Sequence, residues 1–268
     1  FRRVLFRSDI NPFGDSTWEA REISPQEAKE IIEREGKGRQ PIFIAHGWNS
    51  AIGNSMPLFD RFDNTNFYPV PVVWPYTVNY LHQQKVTALE SGALLRKFFE
   101  TENLDEVFPQ KSLMMHSMGN HMFFNGVCSD NVNVTFDDIF MVAADVAFDI
   151  FHKDPKKHGN DKREKAKRFI GMLGDKGGKV YVLYNRDDLP LNLSSTHLAN
   201  HEGRIGSTGT DCVAMPWSWC AWRKQSLIPE EFQPKLVNKD VRTAVWDAGF
   251  PYGGHGYQWE PLDRKSTR

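Results

Sequence analysis

Apolar residues fall along this chain in short, nearly unbroken runs. Between the runs lie longer stretches where apolar positions recur three and four residues apart. The runs cover 41–45 (PIFIA), 70–74 (VPVVW), 112–115 (SLMM), 138–144 (DIFMVAA), 179–184 (KVYVLY) and about 241–246. Such runs, without a polar residue at every second place, read as strands buried on both faces, as in a parallel sheet. Pro71 sets 70–74 at an edge or at the start of its strand. Before the first of these strands, Ser24-Pro25-Gln26-Glu27 opens a helix, with Ser as cap, Pro in the first turn and Glu placed for a capping box. That helix runs to about Glu35 and stops at Gly36. Residues 86–100 form a second helix, with Leu89, Leu94, Leu95 and Phe98 on one side. A third begins at Asn120 with His121, Met122, Phe123 and Phe124. Strands alternating with helices predict an α/β fold with a mostly parallel central sheet and helices on both faces.

Composition narrows the picture. A chain of 268 residues, 40% hydrophobic and 25% charged, suits one soluble globular domain. The formal net charge of −1 provides no general field for nucleic acid or an anionic membrane. The charged run 153–168 mixes both signs and reads as a solvated loop and helix face, not a nucleic-acid site. No apolar run approaches the roughly 20 residues of a membrane-spanning helix. The sequence carries no visible signal peptide and leaves compartment and oligomeric state open. Residues 1–8 (FRRVLFRS) and 263–268 (DRKSTR) resemble translated adapter read-through, so the domain is expected over 9–262, truncated at both ends.

Cofactor and metal signals are weak. Gly174, Gly177 and Gly178 read as a turn, because neither Gly-Lys-Ser/Thr nor Gly-x-Gly-x-x-Gly occurs. His197 and His201 have helical spacing for a metal, but the intervening Glu of zinc proteases and a third ligand are missing. Neither a cofactor nor a metal is expected. Of the three cysteines, Cys128 reads as a small core residue, while Cys212 and Cys220 are open between a disulfide and two thiols. Asn133 and Asn192 each begin a glycosylation-type triplet. Trp217, Trp219 and Trp222 suit a lid, a binding wall or a packed insertion equally.

The chemistry concentrates at His116-Ser117-Met118-Gly119. A Ser on a sharp turn between strand and helix presents its hydroxyl at the carboxyl edge of a sheet, and the turn needs small residues beside it. Gly119 supplies one, two residues on, but Met115 stands where a second small residue is usual. Ligands of parallel sheets bind outside the carboxyl ends of the strands. Ser117, Asp188 and His255 all fall at such ends, in the order nucleophile, acid, base. A serine hydroxyl needs a base, and Gly254 and Gly256 suit a tight loop carrying His255. Asp187 and Asp145 are alternative acids. His46 and His116 read as braces of their turns.

The pieces PIFIAHGWNS, VPVVWPYT, MMHSMGN, MVAADVAFDIF, RDDLPLNLS, RIG and HGYQWEP follow one another over about 40–260. Together they resemble the α/β-hydrolase superfamily, and most closely a branch known only as a domain of unknown function. The resemblance implies a serine hydrolase, acting on carboxylic esters or lipid-like small molecules through an acyl-enzyme. It carries the nucleophile to Ser117, the acid to Asp188, the base to His255 and the oxyanion-hole N–H groups to Met118 and Trp48. Amide or thioester cleavage with the same triad, or a non-catalytic binding module on the same fold, are the alternatives.

Overall fold

The computed structural model describes residues 5–10, 16–21, 24–48, 62, 65–75, 77–155, 159–175, 177–196, 204–210 and 227–247. Strands β1 (Leu5–Ile10) and β2 (Ser16–Arg21) pair antiparallel as a separate two-stranded unit. The main sheet comprises β3 (Gln40–Ala45), β4 (Phe67–Val72), β5 (Ser112–His116), β6 (Ile139–Val142), β7 (Val180–Tyr184) and β8 (Leu236–Asp240). Its order is β4-β3-β5-β6-β7-β8, and every neighbouring pair is parallel. The protein therefore has the α/β fold that its apolar runs predict.

The local signals act as expected at the first helix. In α1 (Pro25–Gly36), Ser24 Oγ accepts from the Glu27 amide at 3.1 Å, and Lys37 ends the helix in the left-handed region at φ 50°. The prolines hold β4 at the sheet edge, because a residue without an N–H cannot serve a central ladder. That strand occupies Phe67–Val72, starting three residues and ending two residues earlier than the run 70–74 suggested.

The next helix, α2, starts at Tyr80–His82, passes through a π-helical turn at Gln83–Thr87 and continues over Ala88–Thr101. Its buried stripe is Ala88, Ser91, Gly92, Leu95 and Phe99, and Leu94 is 52% exposed, contrary to the expected face. Small residues make this seam. A Cβ on Gly92 would lie 2.6 Å from the Cα of Gly126, so the two helices meet backbone to backbone. Leu95 and Phe98 meet the core as expected, and Leu94 turns away from it, because small residues line the seam.

After the short α3 (Leu104–Val107), β5 leads into α4 (Met118–His121), which runs on through Met122–Gly126 and Val127–Ser129. Helix α5 (Gly159–Gly171) takes up much of the charged run and buries Lys162, Ala166, Phe169 and Ile170. Lys162 is buried there because its Nζ meets Asp149 Oδ1 at 2.9 Å. Alternation along β3 sorts the core. Phe43 and Ala45 join the main cluster with Leu113, Met115, Met141 and helix residues Ile32, Leu95, Phe99, Met122 and Phe169. Ile42 and Ile44 face the other way, toward Met114 and Phe140. Cys128 is buried in the main core, its thiol pushed up to about 12 by burial.

The last expected strand is a correction. Residues 242–247 are helical, and the strand is the more polar Leu236–Asp240 before them. This edge strand is only half-buried, so its sequence carries little apolar signal. Asp240 Oδ1 then accepts from the Arg242 amide at 3.0 Å and turns the chain into the helix.

Candidate active site

The chain leaves β3 toward β4 on one side and leaves β5 toward β6 on the other. The order reverses between β3 and β5, and connections diverging there open a crevice at the carboxyl ends of those two strands. His46-Gly47-Trp48 follows β3, and Ser117 follows β5.

Ser117 has φ 50° and ψ −120°, a conformation that side chains rarely adopt. Such strain costs on the order of 1–3 kcal/mol and survives only where surrounding bonds fix it. Here they do. The Ser117 amide donates to the Val142 carbonyl at 3.0 Å. Its own carbonyl accepts from the amides of Asn120 and Asp145, both at 3.1 Å. Asn120 Nδ2 donates to the Met115 and Ser117 carbonyls at 2.9 and 3.1 Å.

Two glycines allow the turn to sit this close. A Cβ on Gly119 would fall 2.7 Å from the His46 oxygen and 2.8 Å from that of Ala45. One on Gly47 would fall 2.8 Å from Ser117 Cβ. Met115 is buried in the core, so the second small residue beside the serine is Gly47, from the neighbouring strand's turn. Gly47 is 70 positions from the serine along the chain and meets it only across the sheet.

His46 braces its turn. Its ring lies 2.8 Å from the Gly47 oxygen and 3.1 Å from that of Trp74, and stacks on the Trp74 ring. Burial lowers its pKa, against the raising effect of those bonds. Trp48 is 38% exposed; its Nε1 donates to the Thr77 carbonyl at 2.7 Å and its ring meets Tyr80 edge-on. Met118 is buried at the start of α4.

The three candidate acids differ sharply. Asp187 is exposed, with its amide donating to Asn185 Oδ1. Asp188 is fully buried beyond the end of β7, and its Oδ1 accepts from the Leu191 amide at 3.0 Å, capping α6 (Leu189–Thr196). Asp145, beyond β6, is also buried, but its carboxylate is enclosed. Oδ1 takes Arg204 Nε at 3.0 Å and Ser194 Oγ at 2.9 Å, while Oδ2 takes the Tyr80 hydroxyl. Burial opposes the charge on Asp145, but Arg204, Tyr80 and Ser194 hold its pKa below the usual carboxylate range. Burial and that same carboxylate push the Tyr80 pKa up. Tyr80 escaped the sequence reading, while Ser194 and Arg204 entered it only inside the pieces RDDLPLNLS and RIG, with no role of their own.

The structure thus brings together Ser117, the Gly47-Trp48 turn and the backbone of Asp145. The end of β7, with Asp188, lies two strand spacings from β5, about 10 Å. His255, Cys212, Cys220, His197, His201 and the tryptophans at 217, 219 and 222 lie outside the described residues. Among the described residues no cluster of three or more His, Cys, Asp or Glu could hold a metal, and no helix is long and apolar enough to cross a membrane.

No family model and no curated protein matches the chain. Among solved structures it is similar to RedJ with a PEG molecule bound in the active site, at a TM-score of 0.33 and 8% identity over 76% of this chain and 78% of that one.

Proposed function

We propose that the chain is a serine hydrolase of the α/β-hydrolase type that cleaves carboxylic esters. The observation that carries this reading is the strained Ser117 at the strand–helix turn, in the crevice where the strand order reverses. In this account Ser117 Oγ attacks the ester carbonyl carbon and gives its proton to His255. The carbonyl electron pair moves onto oxygen, which accepts from the Met118 and Trp48 N–H groups. Collapse expels the alcohol, protonated by His255, and leaves an acyl-enzyme that water cleaves by the same steps.

Asp188 is the preferred acid. It is buried, as a group that stabilises an imidazolium must be, whereas Asp187 is exposed and Asp145 is enclosed by three donors. A carboxylate and a serine hydroxyl bridged by one imidazole stand about 8 Å apart, two hydrogen bonds and a ring. The strand spacing between β5 and β7 is compatible with that span.

Trp48, which follows β3, and Val78, Leu81 and Leu189, in the segments that follow β4 and β7, are exposed apolar groups, Val78 at 85%. They favour esters with an apolar acyl or alcohol group. Turnover of a short series of p-nitrophenyl esters tests the reading, with Ser117→Ala as control. Ester cleavage lost in Ser117→Ala is expected; equal turnover by both proteins would overturn it.

A further inference from the structure

Buried ion pairs contribute little net stability, because desolvation offsets most of their attraction, and they often act by fixing geometry. The pair of Arg204 and Asp145 is buried at both ends, and among the described residues Arg204 Nη2 has no hydrogen-bond partner. The backbone around it is docked tightly. Ile205 and Gly206 donate to the Val146 and Ala144 carbonyls, each at 3.0 Å, and Asn185 donates to the Gly206 carbonyl at 2.9 Å. A Cβ on Gly206 would fall 2.1 Å from the Ala144 nitrogen and 2.6 Å from Leu191 Cδ1. The triplet Arg204-Ile205-Gly206 therefore wedges between the end of β6 and helix α6, with its guanidinium delivered to Asp145.

Asp145 is where two lines of contact join. Its amide holds the Ser117 carbonyl. Its carboxylate holds Ser194, on the helix that Asp188 caps, and Tyr80, against which Trp48 packs. Ser194 also meets the Tyr80 hydroxyl at 2.7 Å and accepts from Arg204 Nε at 3.2 Å. One continuous path thus runs from the Ser117 turn through Asp145 and Ser194 to the helix carrying Asp188, and a branch runs through Tyr80 to Trp48.

We infer that Asp145, Arg204 and Ser194 form a positioning clamp that sets the nucleophile turn, the acid's helix and the Trp48 turn in mutual register. The inference rests on the hydrolase reading above. None of the three touches the reacting atoms; they act through Ser117, Asp188 and Trp48.

The test compares Arg204→Met, Arg204→Lys and Ser194→Ala with the wild-type chain. It measures kcat and KM on p-nitrophenyl butyrate, the fluorophosphonate labelling rate and the melting temperature. Misplacement of catalytic groups by a fraction of an ångström predicts a loss in kcat of about 10–100-fold for Arg204→Met with KM little changed, and labelling slowed in parallel. Arg204→Lys recovers most of it, since an ammonium can still pair with Asp145. Ser194→Ala removes one hydroxyl and little packing, so it reports even if Arg204→Met fails to fold; kcat is expected to fall several-fold. Wild-type kcat in Ser194→Ala, or in Arg204→Met well below a lowered melting temperature, would overturn the clamp alone. A wild-type chain that neither labels nor turns over ester would overturn the hydrolase reading, and the clamp with it.

Discussion

The Asp145 amide donates to the Ser117 carbonyl at 3.1 Å, across the gap between the ends of β6 and β5. The strained turn is therefore secured by a neighbouring strand as well as by its own helix. The same residue carries an enclosed carboxylate, so its backbone and side chain serve different partners.

Gly47→Ala follows from the close approach of this turn to its neighbour. The added methyl would lie 2.8 Å from Ser117 Cβ, nearer than real Cβ contacts allow. One of the two turns must shift, at a cost of about 1–3 kcal/mol. Urea unfolding should register that loss, and fluorophosphonate labelling should slow by at least about tenfold if the oxyanion donors move with it. An unchanged labelling rate would mean that the 46–48 turn is not part of the reactive geometry.

Leu94→Ala and Leu95→Ala separate the observed helix face from the expected one. Leu95 is 3% exposed and Leu94 is 52% exposed. Urea midpoints are expected to show a loss of about 2–5 kcal/mol for Leu95→Ala and no more than about 0.5 kcal/mol for Leu94→Ala. Equal losses would place α2 in a different rotation.

His121 predicts a pH dependence of stability. Burial lowers its pKa to about 4, with Asp145 opposing and Arg204 and Lys165 reinforcing the shift. Its ring nitrogen Nδ1 faces Asn125 Nδ2 at 3.2 Å. Between pH 6.5 and pH 4 the unfolded chain binds this proton and the folded chain does not. The stability is therefore fully present above pH 6.5 and falls as the pH drops toward 4. The residue keeps partial exposure, so the loss is roughly 2 kcal/mol. Urea midpoints from pH 7 to pH 4 should show the slope, and His121→Asn should flatten it.

Much of the sheet was legible because parallel strands buried on both faces leave continuous apolar runs, as at 41–45 and 179–184. The edge strand Leu236–Asp240 was not, since half-buried polar residues leave no such trace. The helix cap at Ser24 was local and could be read; the seam at Gly92 depends on Gly126, 34 positions further on, and could not. The site divides in the same way. Ser117 and Gly119 announce their turn within a few residues. Gly47, Ser194 and Arg204 lie in pieces that could be recognised, but their contacts with one another, and the part of Tyr80, arise only where separate segments meet, which no local spacing encodes.

Asp188→Asn and Asp187→Asn test the choice of acid. An amide at the true acid favours the wrong imidazole tautomer, and in a related triad the loss in kcat is on the order of 10⁴. Asp188→Asn is expected to approach that loss, while Asp187→Asn, at an exposed position, stays near wild type. Asp145→Asn would lose its ion pair and show the smaller, clamp-like deficit. A large loss confined to Asp145→Asn would move the acid to the end of β6.

The most direct measurement is mass spectrometry of the chain after treatment with a fluorophosphonate, with the adduct mapped by peptide fragmentation. The account predicts a single covalent phosphonyl group on Ser117, absent from Ser117→Ala and from heat-denatured protein. No adduct on folded wild-type chain, or an adduct on a different residue, would contradict it.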